Sequence, residues 1–310
     1  MSSSDSEPGD AAPRVVMFAG PNGSGKSTIN AAILKDPEFG FVGEYINADD
    51  IAKSLKASMP DATDRERNIE AANQAEQRRL EALKNRQSFA FETVMSTPEK
   101  VALLTSAKSA GYDVTLVFVT TNNPELNVAR VANRVALGGH AVDPEAIRQR
   151  YASTMQLLPC ALEHADNAIL LDNSASQPVM VAQKDGGRLE RLVDQAPDWF
   201  NTIEESVQTR ARSRDVMETA FRGKPGSDQA VLVDADASNG RIYEGPLLAV
   251  TDHHALQQVR TARFVIHDRS LLIPQELTLE KTSSAIRYAY EKGKLVVPPD
   301  DLTQRRSLKR

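Results

Sequence analysis

Gly20-Pro21-Asn22-Gly23-Ser24-Gly25-Lys26-Ser27-Thr28 sets a lysine and two hydroxyls directly behind three closely spaced glycines. That spacing suits a polyphosphate. Glycine backbones at Gly20, Gly23 and Gly25 can turn their N–H groups inward around an anion. Lys26 is then placed to reach the β- and γ-phosphates, and Ser27 to offer its hydroxyl to Mg²⁺. The chemistry needs a strand to deliver the loop and a helix to leave it. Val15 to Ala19 is a short apolar run that reads as a buried strand, and Ile29 to Leu34 reads as the first turns of a helix, whose dipole adds positive potential at the phosphates. The order strand, glycine-rich turn, helix defines a P-loop for a nucleoside triphosphate, with ATP and Mg²⁺ the expected cofactors.

The remaining polar groups indicate which P-loop chemistry is expected. Motor and switch ATPases carry a buried strand that ends in a carboxylate. Here Val114 to Val119 ends in Thr120-Thr121-Asn122, and a guanine-specifying Asn-Lys-x-Asp is missing. What remains is an early acid pair, Asp49 and Asp50, after the short strand Glu44-Tyr45-Ile46, and a later helical segment rich in arginine. Small-molecule kinases use such parts: an acid accepts the substrate hydroxyl proton, and lid arginines close over the transferring phosphoryl group. Arg130 and Arg134 are four apart and share one helix face. Arg148 and Arg150 lie beyond Gly138-Gly139 on the next helix; they point in different directions, so one of them at most is expected to reach phosphate.

Strands and helices alternate through the first two thirds of the chain. Arg65 to Asn85, Pro98 to Ala110, Pro124 to Leu137 and Pro144 to Leu158 read as helices, and Phe89 to Phe91, Val114 to Val119 and Ala168 to Leu171 as strands. The fold class is α/β: a doubly wound parallel sheet with an arginine-bearing helical lid, which would bring Lys26, Asp49 and Glu92 to one crevice at the carboxyl ends of the strands. From Gln208 the composition changes. The expected organisation is a polar, disordered start (1–13), a kinase domain (14–205), a linker or frayed helix (206–229), a small β-rich module (230–292) and a basic tail (293–310). Within the module Leu277 to Glu291 reads as one helix.

With 310 residues, a net charge of −5 and 41% apolar content, the chain is an ordinary soluble globular protein in composition, and the charge argues against non-specific nucleic-acid binding by the whole protein, so nucleic acid is not an expected partner of the kinase domain. No apolar run is long enough to span a bilayer. The single cysteine, Cys160, excludes an internal disulfide and is expected to be a buried core thiol in a cytoplasmic protein.

The P-loop, Ile46-Asn47-Ala48-Asp49, Phe91-Glu92-Thr93, and Arg130-Val131-x-x-Arg134 with Gly138-Gly139-His140 and Arg150-Tyr151 together resemble the zeta-toxin family over roughly residues 14 to 200. They are most similar to its UDP-N-acetylglucosamine kinase-type members. The resemblance implies phosphorylation of the 3′-hydroxyl of the sugar in that nucleotide-sugar, and a separate antitoxin protein as a partner. It implies Asp49 as the base, Glu92 and Thr93 as substrate ligands, and Arg130, Arg134 and Arg150 on the transferring phosphate. Asp50 is the alternative base if the loop register slips by one. The alternative for Glu92-Thr93 is a helix-start cap.

Residues 240 to 272 are similar to a KfrB-like domain, which leaves the role of the module and its nucleic-acid binding open. His253, His254 and His267 fall in it. Adjacent histidines on a strand face opposite ways, so these are expected to be structural or surface residues rather than metal ligands. Two other readings stay open. One is the same chemistry on a different acceptor, such as a nucleotide, a dinucleotide cofactor or another sugar. The other is a nucleotide-switched binding protein acting through the module.

Overall fold

The computed structural model of the chain describes residues 12–139, 141–273, 277, 279, 283–291 and 293–296. The expected polar start up to Ala11, His140 and the basic end from Val297 lie outside the described residues.

β1 (Arg14–Ala19) delivers the P-loop, and α1 (Lys26–Ile33) leaves it. β2 (Glu44–Ile46), α2 (Ala48–Ser58), α3 (Asp64–Lys84), β3 (Phe89–Thr93), α4 (Pro98–Ser109), β4 (Asp113–Thr120), α5 (Pro124–Ala136), α6 (Pro144–His164) and β5 (Asn167–Asp172) follow. The strands lie in the order β2-β3-β1-β4-β5, all parallel, so the chain reverses its direction of winding at β1. The crevice at that reversal is where open α/β sheets bind ligands, and the P-loop sits in it. Both faces are covered. Val16, Phe18, Val117 and Val119 meet Ile29 and Ile33 of α1, while Val15, Met17, Leu116 and Phe118 belong to the large core shared with α4 and α6. Burial on both faces explains why these strands read as unbroken apolar runs.

Several expectations need correction. Two antiparallel strands, β6 (Val179–Asp185) and β7 (Arg188–Arg191), extend the sheet and are not legible in the sequence, because edge strands half in water carry little apolar signal. α6 does not stop at Leu158 but runs through Pro159 to His164. A helical proline costs about 3 kcal/mol, and here burial of Leu157, Leu158, Cys160, Ala161 and Leu162 outweighs it. Residues 206–222 of the stretch read as a linker or frayed helix are the second half of α7 (Asp198–Arg222), whose buried face includes Trp199, Phe200, Ile203, Arg210 and Met217, and a turn with the short 3-10 helix Ser227–Gln229 makes up the rest.

Beyond α7, β10 (Leu247–Val250), β11 (His254–Arg260), β12 (Arg263–Asp268) and β8 (Val231–Asp234) form a four-stranded sheet in that order. β9 (Ile242–Gly245) pairs with β13 (Ser284–Arg287), and β14 (Tyr290–Glu291) with β15 (Lys294–Leu295). The single helix expected over Leu277–Glu291 is therefore absent from its described part. Ile286, Tyr288 and Tyr290 are buried at a spacing of two, which is a strand's period, not a helix's.

The module does not hang from the kinase half on a tether. Met217 and Phe221 of α7 pack on Leu256, Phe264 and Ile266, and the core of the parallel sheet continues into Val265, Leu271 and Tyr288. A buried polar cluster lies at the junction. Asp268 accepts hydrogen bonds from Arg210, from Cys160 Sγ at 3.0 Å and from His164 Nε2 at 3.2 Å. Arg210 also donates to Glu163 at 2.9 Å, and Glu163 pairs with His254 Nε2 at 2.8 Å. His254 and His267 are thus buried and internally bonded, the latter between Tyr288 and Gln257. Burial works to raise the Glu163 carboxyl, but the His254 hydrogen bond and the Arg210 charge outweigh it and hold the group down at about 2. Removing one member of such a cluster strands the others. Arg210→Met is expected to cost about 3–5 kcal/mol, read from the urea unfolding midpoint at pH 7. Because Glu163 is depressed from 4.5 to about 2, its share of the stability is complete above pH 4.5 and disappears as pH falls towards 2. The variant should therefore show a flatter acid limb than the parent.

Candidate active site

The P-loop is held by asparagines from neighbouring elements. Asn127 of α5 donates to the Asn22 carbonyl at 2.8 Å, and Asn173, just past β5, donates to the Ser24 carbonyl at 2.8 Å. Space is tight: a Cβ on Gly20 would stand 1.9 Å from the Val119 carbonyl oxygen, and one on Gly25, at φ +92°, would stand 2.2 Å from Asn173 Nδ2. Only glycine fits either position. Ser24 Oγ is buried and has no hydrogen-bond partner among the described residues, which suits a loop shaped for an anion.

Lys26 is buried, and its ammonium donates to the Pro21 carbonyl at 2.9 Å. Burial lowers it from 10.5 to about 8, with Glu92 and Asp49 working to raise it and Arg134 to lower it further. Glu92, Asp49 and Arg134 thus lie near enough to Lys26 for their charges to act on it. Glu92, at the end of β3, accepts from Ser27 Oγ at 3.1 Å, Asn30 Nδ2 at 2.9 Å and Tyr45 OH at 3.3 Å. Tyr45 OH in turn accepts from Asn47 Nδ2 at 3.2 Å, and Asn47 Oδ1 caps α2 by accepting from the Asp49 N–H at 2.8 Å. Hydrogen bonds thus run unbroken from the P-loop serine to the backbone of Asp49.

Asn47 caps α2, and both acids lie in its first turn. Asp50 is exposed and paired with Lys53 at 2.7 Å. Glu92-Thr93 is not a helix cap, since α4 begins only at Pro98; Thr93 Oγ1 instead accepts from the Met95 N–H at 3.1 Å. Arg148 is engaged by both oxygens of Glu125, at 2.7 and 2.9 Å, and clamps α6 to α5, whereas Arg150 donates to the Asn22 side chain of the P-loop at 3.3 Å. Arg134 is exposed near the end of α5, and Arg130 lies one turn earlier, half-buried. Gly138 and Gly139 close α5 with paired hydrogen bonds to Val135 and Arg134, a helix-ending motif directly behind the arginine pair.

The sequence motifs do not point to the supporting residues Asn30, Tyr45, Asn127 and Asn173. Only Asn30 carries a local signal, one helical turn beyond the P-loop serine. The oxygen donors Ser27 and Glu92 stand 3.1 Å apart beside the loop and fit a hard cation such as Mg²⁺. Beyond Thr93 and Arg150 the crevice opens into a cleft of about 560 Å³.

The zeta-toxin family profile matches residues 2–190, and the KfrB domain profile matches residues 242–297. The chain belongs to the zeta-toxin family and has its P-loop kinase fold. An uncharacterized protein of Haemophilus influenzae is 30% identical over 138 residues, which is 44% of this chain and 92% of that protein. Of solved structures, a chain of the AvrRxo1-ORF1:AvrRxo1-ORF2 complex with sulphate ions aligns with a TM-score of 0.49 at 18% identity, covering 62% of this chain and 63% of that one. A chain of the PezAT chromosomal toxin-antitoxin system of Streptococcus pneumoniae aligns with a TM-score of 0.40 at 15% identity, covering 64% of this chain and 87% of that one. Among the described residues no helix is long and apolar enough to cross a membrane.

Lys26 sets a pH dependence. Its free-state value of about 8 leaves it mostly charged at pH 7 and neutral by pH 9.5. A bound polyphosphate favours the charged form, so triphosphate affinity should fall as pH rises through 8. Lys26→Met should weaken ATP binding about 10- to 100-fold at pH 7, the range of a hydrogen bond to a charged group, and remove this slope. Calorimetric titration between pH 7 and 9.5 measures both.

Proposed function

We propose that this chain is an ATP- and Mg²⁺-dependent small-molecule kinase that moves the γ-phosphoryl group to a hydroxyl of a nucleotide-sugar, and that the 3′-hydroxyl of UDP-N-acetylglucosamine is the acceptor. In this reading it is a zeta-type toxin of the cytoplasm, restrained by a separate antitoxin protein. The kinase domain is 14–205 and the module is 230–292. The observation that carries the proposal is the hydrogen-bonded path joining Ser27, Glu92, Tyr45 and Asn47 to Asp49, which ties a phosphate site to a strand-end acid.

Each side chain then has a task. The P-loop backbone and Lys26 hold the β- and γ-phosphates. Ser27, with Glu92 close behind it, would hold Mg²⁺, which supplies charge neutralisation at the phosphates. Asp49 takes the proton of the acceptor hydroxyl as that oxygen attacks phosphorus. Glu92 and Thr93 contact the acceptor, and three hydrogen bonds fix the carboxylate of Glu92 in place. Arg134 and Arg150, with Arg130, close over the transferring group, where charge builds in the transition state.

The test is incubation of the full chain with ATP–Mg²⁺ and a panel of UDP-sugars, nucleotides and dinucleotides, reading products by mass. A gain of one phosphate on UDP-N-acetylglucosamine is expected. Asp49→Asn should bind ATP as the parent does and lose about 10²- to 10⁴-fold in transfer, the usual contribution of a general base. Undiminished transfer by that variant removes Asp49 from the role, and a panel without any phosphorylated product sinks the kinase assignment itself.

A further inference from the structure

The cleft beyond Thr93 and Arg150 has two walls of different origin. One is built by the kinase half: Thr93 at the end of β3 and the segment from it to Thr97, Glu99 and Lys100 in the first turn of α4, and Glu76 of α3. The other comes from the C-terminal module, through Asn239, Tyr290, Glu291 and Gly293. Thr93 adjoins Glu92, and Arg150 touches the P-loop, so this cleft is the continuation of the phosphate site. Met95 forms part of its floor with φ at +56°, a left-handed backbone that a methionine holds only when its surroundings enforce it.

The module's wall is built to stay where it is. The Asn239 side chain accepts from the Tyr290 N–H at 2.9 Å and donates to the Tyr290 carbonyl at 3.2 Å, clamping the β14–β15 hairpin. Tyr290 OH donates to the Leu271 carbonyl at 3.1 Å. Gly293, at φ +76°, sits so close to α4 that a Cβ would stand 2.9 Å from Thr97 Oγ1 and 3.1 Å from Glu99 Oε2. The loop before Asn239 is pinned to α4, because Ser106 Oγ donates to Asp236 at 2.8 Å and the Ala237 N–H donates to Thr105 Oγ1 at 2.9 Å.

The lining chemistry narrows the ligand. Glu76, Glu99 and Glu291 supply carboxylates and Ser96, Thr97 and Asn239 neutral polar groups, against two cations, Lys100 and Arg150. Carboxylates accept hydrogen bonds from hydroxyls and repel phosphates. A second hollow of about 300 Å³ shares Glu76, Glu99, Lys100, Asn239 and Tyr290 with the first and adds the apolar side chains of Leu80, Leu83 and Leu103, with Arg79 stacked over the Phe91 ring at its edge. Together they suit a molecule with a hydroxyl-rich part and a less polar end.

From this arrangement we infer that the C-terminal module is the acceptor-selecting wall of the kinase, with Glu291 as a specificity-determining residue that binds the hydroxyl-rich part of a sugar-bearing acceptor and Asn239 as the positioning residue that holds its hairpin. The inference rests on the kinase reading above for the direction of transfer, but its binding content stands without turnover. The module is then a component of the active site and not an appended partner-binding unit.

Binding and turnover separate the two claims. UDP-N-acetylglucosamine, its free sugar and uridine diphosphate are titrated calorimetrically into the full chain, into Glu291→Gln and into Asn239→Ala, with ATP titrated in parallel. Both positions are exposed, and a thermal melt checks that each variant is folded. The expected result is sugar-dependent binding that weakens about 10-fold or more in Glu291→Gln, as for a lost hydrogen bond to a charged group, with the uridine diphosphate and ATP titrations unchanged. In turnover, KM for the acceptor should rise with kcat nearly retained. Asn239→Ala, which frees the hairpin, should broaden the range of sugars bound. Equal sugar affinity in parent and variants overturns the inference, as does absence of sugar binding to the parent. Sugar binding that depends on Glu291 without any phosphorylated product keeps the wall and removes the kinase assignment.

Discussion

A lysine ammonium held out of water is the constraint that orders the rest of this structure. Among the described residues Lys26 has one carbonyl, that of Pro21, as a direct partner, and its depression to about 8 corresponds to about 3 kcal/mol against the charged form. Glu92 and Asp49 offset part of this through space, and neither is paired with Lys26. A folded chain accepts such a cost where the missing anion arrives as a ligand. The glycines, the two asparagine props and the strand order all serve to hold that cation against an incoming polyphosphate.

The same constraint explains the placement of the acids. A carboxylate bonded directly to Lys26 would neutralise the site and compete with phosphate. Glu92 is instead turned towards Ser27, Asn30 and Tyr45, so its charge is felt by the lysine while its oxygens are occupied elsewhere. Asp49 is placed by the start of a helix. Asn47 caps α2 and fixes the backbone of Asp49 in its first turn.

The phosphate half of this site was legible because its signals are local. Glycine spacing, a buried strand before it and a helix after it all lie within twenty residues of Lys26. The doubly wound sheet was legible for the same reason, as strands buried on both faces read as continuous apolar runs. What escaped was long-range or at an edge. Asn127 and Asn173 lie more than a hundred residues from the loop they support, and nothing around either announces it. Pro159 reads as a stop, and only the tertiary burial of its neighbours keeps α6 going. The segment ending in Tyr290 and Glu291 has ordinary helical composition. Its strand character comes from pairing with β9 and from burial of Ile286, Tyr288 and Tyr290 beneath the rest of the module.

The junction between the two halves bears on why the module reaches the site at all. An apolar interface alone is non-directional and would tolerate small rotations of one half on the other. Asp268 receives Arg210 from α7, Cys160 and His164 from α6, and the backbone of Ser270, so its position is fixed from several directions at once. Burial first, and then the Asp268 charge, pushes the Cys160 thiol well up, so it serves as a neutral donor and not as a nucleophile. Such a cluster contributes little net stability compared with apolar packing, but it permits one arrangement only. Rigidity of that kind has no evident use for a domain that merely rides on a kinase. It is what a wall needs when the position of Glu291 and Asn239 across a cleft, set against Thr97 and Glu99, decides which hydroxyl can approach the phosphate.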